Sequence, residues 1–183
     1  PGTVGAGVGR PMATEGGQTP VPAGMVVVPA GTYMVGCRDR DQACFDDEKP
    51  ARRVSVEAFA LMAHEVTVKE YDMCVSAGVC TAPALGADCN ATDRDRHPAN
   101  CVSWDAASRY CTWRNWRLPS EAEWEAAARG ADAHTWPWGD DPPTCQRTAA
   151  AGSKAAGCAQ DGTVPVGTRP ADRSPFGAMD LGG

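Results

Sequence analysis

No stretch of this sequence approaches the roughly 20 consecutive apolar residues that a membrane-spanning helix needs. Nor is there a surplus of basic charge. Lys and Arg total 17 against 23 Asp and Glu, a net charge of −6 that argues against a nucleic-acid surface. The segment "DRDRH" at 93–97 alternates in sign and reads as a solvated loop. Histidine is scarce. His64, His97 and His134 lie far apart, without the H-x-x-x-H or H-E-x-x-H spacing that aligns two ligands on one helix face. No G-x-S-x-G nucleophile elbow occurs. "GAGVG" at 5–9 follows no strand and lacks the G-x-G-x-x-G spacing, so it is not a dinucleotide loop. No two cysteines form a C-x-x-C pair, which argues against a zinc ribbon or a thioredoxin-type site.

The cysteines that are present carry more information. There are nine, at 37, 44, 74, 80, 89, 101, 111, 145 and 158. That number suits loop-closing disulfides in an exported protein better than a cytosolic one. Cys37 with Cys44, Cys80 with Cys89, and Cys145 with Cys158 each bracket a turn-rich segment and are the expected pairs. Nine is odd, so one thiol stays free or finds a partner outside the chain. With 183 residues, 43% apolar and 22% charged, the chain is long enough for one domain with a sizeable core. It opens on Pro1 and stops at "MDLGG", so both ends are expected to be cuts, with an anchor or a further domain upstream.

Residues 1–23 are mostly Gly, Pro, Ala and Thr and read as a flexible linker. "MVVVPAGTYMVG" (25–36) is a β-branched run, a Pro-Ala-Gly turn and a second strand. "RRVSVEAFALMAHEV" supplies one or two more strands. Thr67 and Glu70 form a capping box for a first helix, which puts Val68, Tyr71, Cys74 and Val75 on one face and ends at Gly78. Residues 79–100 are a loop, and Ser103 caps a second helix with Trp104, Ala107, Tyr110 and Cys111 on its inner face. The remainder is irregular, apart from a short strand expected around Val164–Val166.

"RLPSEAEWEAAARG" (117–130) is the third helix and contains three glutamates that could serve acid–base chemistry. Capping explains them better. Glu121 lies in the first turn, where a negative charge complements the helix dipole. Glu123 closes a capping box with Ser120, and Trp124 is expected to face the core with Ala127 and Ala128.

Taken in order, "MVVVPAGTYMVG", "DEKPARRVSVEAFALMAHEVTVKEY", "HPANCVSWDAASRYCTW", "RLPSEAEWEAAARG", "WPWGD" and "PVGTRPADRSPFGAMDLGG" resemble the formylglycine-generating enzyme (sulfatase-modifying factor) family. The resemblance makes 24–183 the N-terminal portion of such a domain. It implies an α+β, variant C-type-lectin-like fold with little regular secondary structure, supported by disulfides and calcium. The implied reaction is the oxygen-dependent conversion of a cysteine in a sulfatase C-x-P-x-R motif to Cα-formylglycine. A sulfatase polypeptide or other protein ligand is then the expected partner.

The family's enzymes hold copper(I) with a cysteine pair, and thiolate is a soft ligand suited to that ion. The pair lies downstream of the last residue here and none of the nine cysteines matches it, so no catalytic residue is assigned. Cys111 matches a family cysteine that can pair near the C-terminus. Asp180 and Gly183 match the first ligands of a calcium site, whose hard oxygens suit Ca²⁺. Asp161 matches a second site, although "CQRTAA" replaces the asparagine usual after "PWGD". The competing reading is a non-catalytic extracytoplasmic ligand-binding or regulatory module on the same fold.

Overall fold

The protein's structure, a computed structural model, describes residues 7–9, 21–38, 44–84, 86, 89, 93–148 and 162–182. Strand β1 is Val8–Gly9, β2 Met25–Val28, β3 Gly31–Val35, β4 Arg52–Val56 and β5 Phe59–Met62. Helices α1 (Val68–Ser76), α2 (Trp104–Trp113) and α3 (Glu121–Arg129) follow.

β2 pairs antiparallel with β5, and β3 with β4. Val28 lies opposite Phe59 in the first ladder and Gly31 opposite Val56 in the second, so both ladders keep one register. Two chain segments therefore form a single long ribbon, interrupted at Pro29–Ala30 and Glu57–Ala58. Pro29 has no N–H to donate to a ladder. Its carbonyl accepts the Tyr33 hydroxyl at 2.8 Å instead.

β1 completes the first sheet on the far edge of β5, in the order β1-β5-β2. This departs from the composition of residues 1–23, which reads as linker throughout. Val8 exchanges backbone hydrogen bonds with Arg117 at 2.7 and 3.0 Å and is buried. Gly7 allows the approach, because a Cβ there would come within 2.9 Å of the Trp116 ring. With strands on both sides, all four residues of β5 are buried.

The helices start where local chemistry places them. The Thr67 hydroxyl accepts Glu70 N–H and the Glu70 carboxylate accepts Thr67 N–H at 2.8 Å. Ser103 caps α2 through Ala106 N–H at 3.2 Å. α1 ends with Gly78 at φ 71°, the left-handed position a glycine takes beyond a C-cap. Tyr71 and Tyr110 stack at 5.7 Å where α1 meets α2, inside a core that also holds Val28, Leu61, Val66 and Ala127.

Several expectations are corrected. Trp104 is 71% exposed and Trp124 39%, so neither joins the core face of its helix; the three consecutive alanines Ala126, Ala127 and Ala128 fill that role on α3. No strand forms at Val164–Val166, where Val166 N–H makes a single bond to Arg96 O at 2.9 Å. The Cys37–Cys44 disulfide is present. Cys80, however, bonds to Cys74 and Cys89 bonds to Cys101, so the expected Cys80–Cys89 pair is not made. The C-terminal turn of α1 brings Cys80 back under Cys74, with Cys80 N–H donating to Cys74 O at 3.2 Å. Cys145 is disulfide-bonded, and Cys158 lies outside the described residues.

Candidate functional site

The glutamates of α3 are engaged one by one. Glu121 is exposed and meets Arg52 across 3.6 Å. Glu123 accepts Ser120 N–H at 2.8 Å and holds Arg117 in a two-pronged ion pair, one bond of which is 2.6 Å. Hydrogen bonding to Arg117 is the main reason its carboxyl lies below the usual glutamate range. Glu125 performs the third task, which the sequence does not announce. It accepts Gly36 N–H at 2.9 Å and pairs with Arg129 at 3.0 Å. Arg129 donates in turn to Gly36 O and to His134 O, both at 2.7 Å. Two charged side chains thus clamp both backbone groups of Gly36, fixing the end of β3 to α3. Gly36 must lack a side chain: its φ is 86°, and a Cβ would lie 2.5 Å from Glu48 O.

Above this clamp lies a cleft of about 470 Å³ between α3 and the segment carrying the Cys37–Cys44 disulfide. Trp124, Trp136, Glu48, Glu121, Glu125 and Arg129 line it. Trp136 is held in place by parallel stacking on Trp138 at 5.7 Å. The Glu48 carboxylate comes within 4.8 Å of both sulfurs of the disulfide.

The acidic residue predicted as a calcium ligand, Asp180, sits at φ 62° and accepts Gly167 N–H at 2.7 Å. Burial raises its carboxyl above the ordinary range, while the Gly167 bond, His64 and Arg169 pull it down. Gly183 and Asp161 lie outside the described residues. The structure adds a neighbour that sequence reasoning missed. Asp172 is 1% exposed, accepts Gly182 N–H at 3.2 Å with one oxygen, and leaves Oδ1 without a partner among the described residues. Burial, reinforced by the Asp180 charge, pushes its carboxyl up to about 6 against the Gly182 bond and Arg169. A buried carboxylate oxygen with no donor beside a second aspartate fits a hard cation. Nothing in "PADRSP" marks Asp172 as different from a loop aspartate.

Cys111, the free thiol among the described residues, is buried against Gly7 and Trp116. Burial pushes it up to about 11. The residues around it therefore favour an inert thiol. The other described cysteines are in disulfides. A copper(I) pair needs two adjacent thiolates, and the described residues do not fit that requirement.

The family model of the sulfatase-modifying factor enzyme 1-like domain matches residues 12–183. The chain belongs to this family. The formylglycine-generating enzyme of Bos taurus is 32% identical over 173 residues, covering 71% of this chain and 46% of the relative. The inactive C-alpha-formylglycine-generating enzyme 2 of Bos taurus is 28% identical over 176 residues, covering 72% and 56%. The solved structure of PvdO from Pseudomonas aeruginosa superposes with a TM-score of 0.70 at 28% identity, over 86% of this chain and 66% of that one. The chain thus spans about half the length of the curated relatives it matches. The α+β architecture with few regular elements is that of the sulfatase-modifying factor family.

Proposed function

We propose that the protein carrying this sulfatase-modifying factor domain oxidises a cysteine in a C-x-P-x-R segment of a sulfatase polypeptide to Cα-formylglycine. In this reading the present chain builds the framework of the site. The observation that carries it is the family match over residues 12–183. The commitment of Glu123 to its helix cap and Arg117, and of Glu125 to Gly36 and Arg129, supports the framework role. Incubation of the intact, copper-loaded protein with a C-x-P-x-R peptide, followed by hydrazide capture of aldehyde, tests it. Aldehyde formation supports the oxidase, and peptide recovered unchanged overturns it.

The second reading is a non-catalytic binding module. It is favoured by the similarity to the relative named inactive. Absence of aldehyde in the same assay supports it. Under either reading we propose an extracytoplasmic compartment, on the ground of three disulfides closing short loops. Among the described residues no helix is long and apolar enough to cross a membrane.

We also propose that Asp180 and Asp172 bind calcium together, with Asp172 Oδ1 as the buried donor oxygen. Bound cation would stabilise the fold by mass action. Melting the protein in calcium and in chelator tests this. A calcium-dependent rise in Tm that Asp172→Asn and Asp180→Asn abolish is expected, and identical curves would overturn it.

A further inference from the structure

The cleft over α3 has a composition that the scaffold reading does not use. Three carboxylates and one guanidinium line it, and the guanidinium is already committed. Arg129 is neutralised by Glu125 at 3.0 Å, and its donors go to Gly36 O and His134 O. Glu48 and Glu121 are therefore the charges that face an incoming ligand. Among the described residues Glu121 shares its charge only with Arg52, at 3.6 Å and with side-chain exposures of 78% and 62%, so solvent screens that pairing. On the same short turn as Glu48, Asp46 is paired with Lys49 at 3.2 Å and adds no net charge to the rim.

Two indole rings line the same space. Trp124 leaves the core face of its helix and is 39% exposed in the cleft. Trp136 is immobilised by its stack on Trp138. An aromatic face attracts a cation through its quadrupole, most strongly when the ring is tryptophan. Carboxylates beside such faces add Coulombic attraction for the same charge and repel an anion. The rim is also open, since Glu121 remains mostly exposed. A small molecule bound tightly has most of its surface enclosed. An open, aromatic, acidic cleft instead suits a side chain presented by a longer polypeptide, whose remaining contacts lie outside it.

We propose that this cleft binds a lysine or arginine side chain of a basic polypeptide segment. The cation lies between Trp124 and Trp136, with Glu48 and Glu121 as its counter-charges. Cys37 N–H donates to Glu48 O at 2.7 Å, which ties the Glu48 turn to the chain just beyond β3. The proposal does not depend on the oxidase reading, and the test uses peptides that contain no cysteine.

The experiment titrates the intact protein with a fluorescein-labelled Gly-Arg-Gly-Lys-Arg-Gly peptide at low ionic strength and follows anisotropy. An Asp/Glu peptide of equal length and a neutral disaccharide serve as competitors. Saturable binding is expected, weakened at least tenfold between 20 mM and 300 mM salt. Trp124→Ala should weaken it about fivefold, and Glu48→Gln with Glu121→Gln about tenfold. Trp104→Ala, on an exposed face of α2, should leave it unchanged. The Glu48→Gln and Glu121→Gln pair keeps the inference falsifiable if Trp124→Ala lowers stability. Binding that all these variants leave intact, displacement by the disaccharide or acidic peptide, or no binding at millimolar peptide would each overturn the proposal.

Discussion

Replacing Glu125 by alanine should damage this protein more than replacing either other glutamate on α3, and the structure indicates by how much. Glu125 accepts Gly36 N–H at 2.9 Å and balances Arg129 at 3.0 Å, and the two side chains are only 18% and 12% exposed. Truncation leaves one backbone N–H without an acceptor, which costs about 1–3 kcal/mol when the group is buried. It also removes a carboxylate counter-charge from Arg129, and breaking a fully buried ion pair costs about 3–5 kcal/mol. The residual exposure lets water reach Arg129, so the two losses together come to about 3 kcal/mol. For a domain of this size that lowers Tm by roughly 6–12 °C.

The sister positions set the scale. Glu123→Ala removes a capping-box acceptor and a partly exposed ion pair, for about 1–2 kcal/mol. Glu121→Ala removes a screened surface contact and should change stability by no more than about 0.5 kcal/mol. Urea denaturation of the three variants, followed by tryptophan fluorescence, gives the order directly. Glu125→Gln should fall between wild type and Glu125→Ala, because it keeps an acceptor for Gly36 but loses the charge. A loss below about 1 kcal/mol for Glu125→Ala, or a larger loss at position 121 or 123, would refute the clamp.

Three further outcomes are expected. Glu123 has its folded-state pKa held below the ordinary 4.5, so its ion pair contributes fully above that value and is lost as pH falls through the lower, folded value. The Tm difference between wild type and Glu123→Gln should therefore be largest near neutral pH and shrink in acid; a difference that grows on acidification would contradict the sign. The Cys111 thiol, pushed up to about 11 and buried, should resist iodoacetamide at pH 8 in the native protein and react once denatured, as read by peptide mass. Alkylation of Cys111 without unfolding would disprove the packing against Gly7 and Trp116. Gly36→Ala should cost about 1–3 kcal/mol from its positive φ alone, with more from the contact to Glu48 O, and thermal melts check it. An unchanged Tm would mean that the turn at Glu48 is not held against β3.

What could be read from the chain followed the range of the interaction. The capping boxes at Thr67 and Ser120 and the cap at Ser103 join groups three residues apart, so the order of residues reveals them. The break between β2 and β3 was visible in Pro29, whereas the ribbon register across it was not. A strand pattern records which face is apolar and leaves the partner open. Cys37–Cys44 closes a short loop and was legible. Cys80 had two neighbours within similar reach, and only the return of the chain after α1 chose Cys74 over Cys89. Trp124 illustrates the same limit. Helical spacing groups it with Ala127 and Ala128, yet the cleft turns that side of α3 toward solvent.

The sequence by itself determined the family, the three helix starts and the structural use of Glu121 and Glu123, because these rest on local bonds and on motifs kept in order. Only the tertiary structure decided that Glu125 clamps Gly36, 89 positions away in the chain. It likewise placed Val8 in a sheet, buried Asp172 beside Asp180, and opened a cleft between two tryptophans. Each of these depends on where distant backbone comes to rest, and no local pattern encodes that.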